Sequence, residues 1–159
     1  MFTCRWASIS DVMDERAAKL LSRLQAQCSR REYCSTDVLS KALKALDGDS
    51  ALAGEVLESL IADGFVSDLR YAAAFSRDKA QLDGWGPVKI RHALACKGIS
   101  RETVDAALQE VDENAAEGRL KRLMAAKAKM LEGDPQARLK LIKYALSRGY
   151  EYSQVQKCL

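Results

Sequence analysis

The sequence contains a single histidine, His92, and this scarcity narrows the chemistry that the chain can perform. One imidazole cannot form a histidine-rich metal site or a histidine relay. The phosphate-binding patterns G-x-x-x-x-G-K-[ST] and G-x-G-x-x-G are absent as well. His92 lies four residues before Cys96, but nothing in the sequence predicts the orienting group or oxyanion site that a nucleophilic pair would need. We therefore expect no enzyme, no catalytic residue, no cofactor and no metal.

Long apolar runs and paired cysteines are also missing. No apolar run approaches the ~20 residues of a membrane-spanning helix, and residues 1–10 lack the apolar segment of a signal peptide. The five cysteines, Cys4 the first of them, include no C-x-x-C pair, which argues against a zinc ribbon or a redox motif. We expect free thiols in a reducing cytoplasm and no membrane partner.

Proline and β-branched residues are scarce, whereas Ala, Leu, Lys, Arg and Glu are abundant. This composition is typical of a helical protein and disfavours a sandwich or a barrel. Apolar residues recur at helical spacing between glycine-marked breaks. The pattern predicts nine helices, at residues 11–31, 36–46, 51–63, 68–82, 87–97, 101–111, 114–130, 135–148 and 153–158.

Helix ends are marked by glycines. Gly64, Gly98 and Gly149 each follow a predicted helix, at the position where a left-handed backbone favours glycine. At the start of the last helix, Ser153 and Gln156 fit a capping box. These signals predict short helices joined by tight turns.

The helices group in threes. Ala42-Leu43, Ala93-Leu94 and Ala145-Leu146 each lie in the second helix of a triplet, and the leucines are 51 and 52 residues apart. A fixed period of this size indicates a repeat array. We predict an all-α fold of three tandem three-helix repeats that form an elongated, curved array. The predicted divisions are an N-terminal tail at 1–10 and repeats at 11–66, 67–111 and 112–159.

Positive charge is concentrated in two stretches, although the formal net charge is only +3. Residues 84–101 hold four basic residues and no acidic one, and residues 119–148 hold nine basic and two acidic residues. The predicted first repeat is net acidic. These stretches indicate an extended basic surface of a kind that suits phosphates.

The most informative segment is Gly84-Trp85-Gly86-Pro87 and the helix that it opens. The two glycines predict a tight turn around the tryptophan, and proline is tolerated in the first helical turn. Ile90 and Leu94 are predicted to face inward, with Lys89 and Arg91 on either side. Two interpretations stay open: an ordinary amphipathic helix with a packed tryptophan, or a basic and aromatic binding edge.

The preceding helix has a similar pattern. Tyr71, Phe75 and Leu82 mark its predicted core face, and Arg70 and Arg77 share another face seven residues apart. The two arginines either are solvated or extend the binding edge.

Together these features resemble the RecX family, from about Asp14 to the end of the chain. The resemblance is carried by Phe65-Val66-Ser67-Asp68, Arg70-Tyr71-Ala72, Gly84-Trp85-Gly86-Pro87, Lys97-Gly98-Ile99 and Leu146-Ser147-Arg148-Gly149-Tyr150-Glu151-Tyr152. It implies tandem three-helix repeats and a cytoplasmic regulator of recombination, DNA repair and the SOS response. It also implies binding to the RecA recombinase and its filament on single-stranded DNA, with inhibition of ATP hydrolysis and strand exchange.

The charge pattern supplies the expected contact residues. Those expected to face the filament or its phosphates are Arg70, Arg77, Lys89, Arg91, Lys97, Arg119, Lys121, Arg122, Lys140, Lys143 and Arg148. Those expected to shape the motif are Gly84, Trp85, Gly86, Pro87, Ile90, Leu94, Gly98 and Gly149. We expect a monomer, and whether it also binds DNA weakly and directly stays open.

Two other functions also stay open. A helix-turn-helix DNA-binding motif could span residues 92–108. Its recognition helix would be residues 101–110, which hold one basic and three acidic residues. A helix with that charge is repelled by the phosphates that line the major groove. A helical adaptor without nucleic acid fits the composition equally well.

Overall fold

The structure is a computed structural model that describes residues 14–159, and this part of the chain is helical throughout, without a strand. Its nine helices are α1 (Glu15–Cys28), α2 (Ser35–Ala45), α3 (Ser50–Ala62), α4 (Asp68–Gln81), α5 (Pro87–Cys96), α6 (Arg101–Gln109), α7 (Glu113–Met130), α8 (Ala137–Ser147) and α9 (Tyr152–Gln156). Within the same residues, no helix combines the length and apolar character that crossing a membrane requires. The predicted all-α class of three-helix units is confirmed.

Every predicted helix has an observed counterpart, and most ends differ by one or two residues. Gly64, Gly98 and Gly149 have φ angles of 76°, 76° and 90°, so the predicted left-handed helix ends are confirmed. The start of the first predicted helix, the predicted tail at 1–10 and Cys4 lie outside the described residues.

The chain divides into two compact units, the first ending at Asp68 and the second beginning at Leu69. In the first unit α1, α2 and α3 pack on one another. Its core is formed by Ala17, Leu20, Leu24, Val38, Ala42, Leu46, Ala53, Val56, Leu60 and Val66. The backbone N–H and the hydroxyl of Ser35, at the start of α2, both donate to the carboxylate of Asp68 at 2.7 Å. This first unit therefore has a continuous core of its own.

The second unit contains the rest of α4 and the helices α5 to α9. α5 packs against α6, and α8 packs against both α7 and α9. Ile90 and Leu94 in α5 are at most 2% exposed, so both face the core as predicted. The core of α7 to α9 is formed by Leu120, Met124, Ala145, Tyr150 and Val155. The division of this unit into repeats at residues 111 and 112 stays a prediction.

The register of the repeat differs from the predicted one. Leu94 is fully buried, but Leu146 is 42% exposed and Leu43 is only partly buried. The carbonyls of Leu43, Leu94 and Ala145 each accept a helix-ending hydrogen bond from the N–H of the residue five positions later. Helix-end geometry fixes equivalent positions, so the repeat runs through Leu43, Leu94 and Ala145, and only the third position differs from the predicted Leu146.

The predicted core face of α4 is wrong in one residue. Leu82 is 81% exposed, because α4 ends at Gln81 and the helical spacing from Phe75 no longer applies beyond that point. The buried residues of α4 are the small side chains Ala72, Ser76 and Ala80. Tyr71 and Phe75 are half-buried beside them. α4 therefore buries small side chains, and its aromatic rings lie at the edge of the core.

The predicted capping box of the last helix is also wrong. α9 begins at Tyr152 with Glu151 as its N-cap, and the N–H of Glu151 donates to the side chain of Gln154 at 2.9 Å. The box therefore lies two residues before Ser153. The buried side chain of Tyr150 anchors the chain in the core, and the helix starts directly after the extended Glu151.

Candidate partner-binding surface

Trp85 lies in the turn that joins α4 to α5. Gly84 has φ of 65°, a backbone conformation that glycine adopts without strain. The N–H of Trp85 donates to the carbonyl of Lys79 at 3.0 Å. Gly86 is the extended N-cap of α5, and Pro87 is its first residue, where a backbone donor is not needed. The local sequence therefore fixes the position of the tryptophan.

Two lysines lie over the half-buried ring of Trp85. The Nζ atoms of Lys79 and Lys89 are 4.8 and 4.5 Å from the ring centroid. The aromatic contacts continue into α4. There the ring of Phe75 meets Trp85 edge-on, with centroids 6.3 Å apart, and stacks on Tyr71, with centroids 5.9 Å apart. Such cation–π pairs hold ammonium groups at the surface while the ring packs below them.

The end of α8 docks onto this turn through backbone contacts. The N–H groups of Gly86 and Val88 donate to the carbonyls of Arg148 and Gly149 at 2.8 and 2.9 Å. A Cβ at Gly149 would lie 2.5 Å from the backbone nitrogen of Lys89, so only glycine fits. The guanidinium of Arg148 also donates to the carbonyl of Asp83 at 3.0 Å. Two segments that carry the family resemblance, 84–87 and 146–152, thus lie together in the second unit.

Two open clefts flank Trp85, and both are lined by Trp85 and Arg119. The larger, of about 830 Å³, lies among α5, α6, α7 and α9 and includes Arg91 and Tyr150. The smaller cleft, of about 610 Å³, is lined by Arg122 and Arg148 in addition to Trp85 and Arg119. We call the residues Lys79, Trp85, Lys89, Arg119, Arg122 and Arg148 the Trp85 surface.

Acidic side chains neutralise several cations near the larger cleft. Asp105 pairs with Arg91 at 3.4 Å and with Arg101 at 3.8 Å. Glu117 pairs with Lys121 at 2.7 Å, and this hydrogen bond lowers the pKa of Glu117 and raises the pKa of Lys121. Exposed pairs of this kind add little to stability. They do reduce the positive charge on this side of Trp85.

Tyr150 is the buried ionisable group of this region. It is 3% exposed, and its hydroxyl has no hydrogen-bond partner among the described residues. Burial raises the pKa of Tyr150, and the charges of Arg119 and Arg148 oppose that shift. The hydroxyl therefore stays protonated at neutral pH and can donate a hydrogen bond.

The structure brings four predicted contact residues together around Trp85: Lys89, Arg119, Arg122 and Arg148. Arg91 lines the larger cleft and is paired with Asp105. Lys121 and Lys140 are engaged by Glu117 and Asp134. In the described part of the chain, four other predicted residues line neither cleft: Arg70, Arg77, Lys97 and Lys143.

Sequence reasoning missed two features of this region. Lys79 was not among the predicted contact residues, although it lies over Trp85, because its partner ring is six residues away and beyond the helix end. Tyr144 in α8 carries a similar pair of cations, with Lys127 at 5.4 Å and Arg148 at 5.3 Å from its ring. No local spacing indicates a contact between α7 and α8, so neither could be found from a helical period.

The pair of His92 and Cys96, for which the sequence predicts no catalytic role, forms an exposed contact. The Sγ of Cys96 lies 3.7 Å from the Nε2 of His92, one helical turn away on α5. Both side chains are exposed, and the four described cysteines are free thiols. A contact between neighbouring turns of one helix is expected from the i, i+4 spacing alone.

Comparison with known proteins gives one family repeatedly. The model of the second three-helix domain of RecX matches residues 67–108. The regulatory protein RecX of Shewanella oneidensis (strain MR-1) is 30% identical over 114 residues, which are 63% of this chain and 89% of that protein. RecX of Pseudomonas putida (strain W619) is 29% identical over 135 residues, 82% of this chain and 83% of that protein.

Solved structures have the same fold. The crystal structure of a regulatory protein RecX aligns with a TM-score of 0.81 at 24% identity and covers 91% of this chain and 71% of that one. The crystal structure of RecX from Lactobacillus salivarius aligns with a TM-score of 0.80 at 20% identity and covers 91% of this chain and 94% of that one. At these identities the likeness establishes the fold.

Proposed function

The chain belongs to the RecX family of regulatory proteins, and on that premise we propose that it binds the RecA recombinase on single-stranded DNA and lowers its ATP hydrolysis and strand exchange. It acts in the cytoplasm as a regulator and catalyses no reaction itself. The observation that carries the proposal is the Trp85 surface, which gathers five cations around one half-buried tryptophan.

Tryptophan and arginine are the residues that most often dominate binding energy at protein interfaces. In the Trp85 surface, the ring packs edge-on against Phe75, and the turn that carries it is hydrogen-bonded to the end of α8. A rigid anchor loses little conformational freedom on binding. The surrounding cations accelerate encounter with a negatively charged partner such as a nucleoprotein filament. These properties support a contact with the filament.

A helix-turn-helix function is supported less well. In α6, the equivalent of a recognition helix, Arg101 is directed at Asp105 of the same helix, and Asp105 also engages Arg91 of α5. The cations of this pair of helices are therefore partly neutralised where they would meet the DNA. Sequence-specific readout needs donors that are free to reach base edges.

The first experiment measures ATP hydrolysis by RecA on single-stranded DNA with increasing amounts of the full chain. We expect the rate to fall with added protein and the chain alone to hydrolyse no ATP. An unchanged rate at excess folded protein would contradict the proposed function.

A charge reversal tests the Trp85 surface. We expect Lys89→Glu with Arg122→Glu to weaken filament binding about tenfold or more, which corresponds to ~1.4 kcal/mol, and to keep a cooperative thermal transition. The matched control is Lys41→Glu with Lys44→Glu in the first unit, where Lys41 lies 4.0 Å from the ring of Tyr33 much as Lys89 lies over Trp85. We expect the control to inhibit more strongly than the first variant. Equal inhibition by both variants and the wild type, at low and moderate salt, would exclude the Trp85 surface as the contact.

A further inference from the structure

The larger cleft beside Trp85 contains two buried polar atoms that lack hydrogen-bond partners in the described chain. They are the hydroxyl of Tyr150 and the Nε of Arg119, and both residues line the cleft. Tyr150 is 97% buried, since only 3% of it is exposed. Buried donors in folded proteins almost always have a hydrogen-bond acceptor. Two buried donors without one in the same cleft therefore indicate a missing acceptor.

The acidic groups of the chain do not supply that acceptor. Asp105 is engaged by Arg91 and Arg101, and Glu117 is engaged by Lys121. Among residues 14–159, the guanidinium of Arg119 has no ion-pair partner. The two donors therefore have no acceptor in the described part of the chain.

We propose that this cleft binds an acidic side chain of the partner protein, whose carboxylate accepts hydrogen bonds from the hydroxyl of Tyr150 and the Nε of Arg119. The proposal rests on the proposed function and deepens it, because it names the chemical group of the partner that the chain recognises. A carboxylate fits because it is an acceptor only and can receive two donors at once.

The walls of the cleft favour a carboxylate on a protein over a nucleic acid. Four acidic residues line it beside four basic ones, so the lining has no net charge and suits one negative group better than a chain of phosphates: Asp105, Glu113, Glu117, Glu151, Arg91, Arg101, Arg119 and Lys157. Apolar residues line it as well, namely Ile90, Leu108 and Val111, and they suit the side chains next to an acidic residue in a peptide. A single negative charge beside apolar neighbours therefore matches the cleft best.

The test uses the full chain and three fluorescein-labelled probes: a short peptide that repeats Glu-Leu-Ser, the same peptide with Gln for Glu, and a short oligothymidine. Anisotropy titrations measure the binding of each probe. We expect saturable binding of the Glu peptide and at least about tenfold weaker binding of the Gln peptide and of the oligothymidine. Equal binding of the two peptides, no binding of the Glu peptide, or tighter binding of the oligothymidine would overturn the proposal.

Variants of the full chain locate the site. Tyr150→Phe removes only the hydroxyl, and Arg119→Gln removes the charge, and we expect each to weaken Glu-peptide binding about tenfold. The controls Tyr152→Phe and Arg138→Gln change an exposed tyrosine and an exposed arginine that line neither cleft, and we expect both to bind like the wild type. Wild-type affinity in both cleft variants would show that the donors are not used.

Stability separates a binding role from a structural one. Because the hydroxyl of Tyr150 is unpaired, its removal should leave the thermal midpoint unchanged or raise it. A lowered midpoint in Tyr150→Phe would mean that the hydroxyl is paired within the fold, contrary to the proposal. Peptide binding without inhibition of RecA would contradict the proposed function alone, and inhibition without peptide binding would contradict this inference alone.

Discussion

Single residues set a close backbone contact in the second unit, where Gly149 meets Lys89. Gly149 has φ of 90°, and an added Cβ would overlap the backbone of α5. Gly133 has a similar φ of 80°, but a Cβ there would meet no atom within 4 Å. The two glycines therefore separate the cost of backbone strain from the cost of steric overlap.

Gly133→Ala is expected to destabilise the protein by about 1 kcal/mol, the cost of a left-handed backbone for a residue with a Cβ. Gly149→Ala adds an overlap and should cost at least about 2 kcal/mol in total. Urea midpoints of the two variants measure the difference. Equal midpoints would mean that α5 and the end of α8 are not in backbone contact.

Tyr150 should make the free energy of unfolding fall at alkaline pH. Burial raises its pKa above the ordinary 10.0, against the opposing charges of Arg119 and Arg148. The unfolded chain therefore loses the proton first, and the stabilisation that is complete below pH 10 is lost as pH rises through the folded-state pKa. We expect Tyr150→Phe to lose less stability than the wild type between about pH 9 and about pH 11. Urea unfolding at both pH values measures the slope, with Tyr152→Phe as the control for losing a tyrosine, and equal slopes would refute the assignment.

At the scale of helices, α5 has two faces with different roles. Ile90 and Leu94 are buried, while Lys89 and Arg91 lie on the flanks, over Trp85 and against Asp105. The two interpretations of this segment are therefore not exclusive. The helix is amphipathic in the ordinary way, and its flank carries part of the Trp85 surface.

The core face of α5 gives a prediction with an internal control. Leu94→Ala should cost about 2–5 kcal/mol, because it leaves a cavity in a fully buried position. Leu82→Ala removes the same atoms from a side chain that is 81% exposed, and it should cost less than about 0.5 kcal/mol. Chemical denaturation of both variants tests this, and similar losses would contradict the assigned burial.

At the scale of the whole molecule, the chain consists of two compact units that meet in sequence at Asp68 and Leu69. Each has buried apolar residues of its own. The Trp85 surface and both of its clefts are formed entirely by residues of the second unit. This unit should therefore contain what is needed to fold and to present the surface.

We expect a fragment of residues 67–159 to unfold cooperatively on its own. A fragment of residues 14–68 should be less stable, because a domain of roughly 60 residues buries a smaller share of its surface. Thermal melts followed by circular dichroism at 222 nm measure both. A gradual melt of the larger fragment would show that its core depends on the first unit.

The nine helices could be predicted from the sequence because their signals are local. Pro87 in the first turn of α5, Ser100 as the N-cap of α6 and the left-handed glycines act within a few residues of where they stand. Ile90 and Leu94 were predicted to be core residues because the helical period places them on one face. Leu82 was predicted wrongly because the period continues in the sequence past the residue where the helix stops.

By itself the sequence determined the helices, their ends and the basic stretches, because backbone hydrogen bonding and side-chain spacing are short-range effects. Only the tertiary structure decided which cations share a surface, since Arg148 and Asp83 meet across 65 residues of chain. It also decided the register of the repeat, in which Ala145 and not Leu146 matches Leu94. The unpaired donors of Tyr150 and Arg119 have the same origin, because burial depends on every helix around a cleft and no local pattern encodes it.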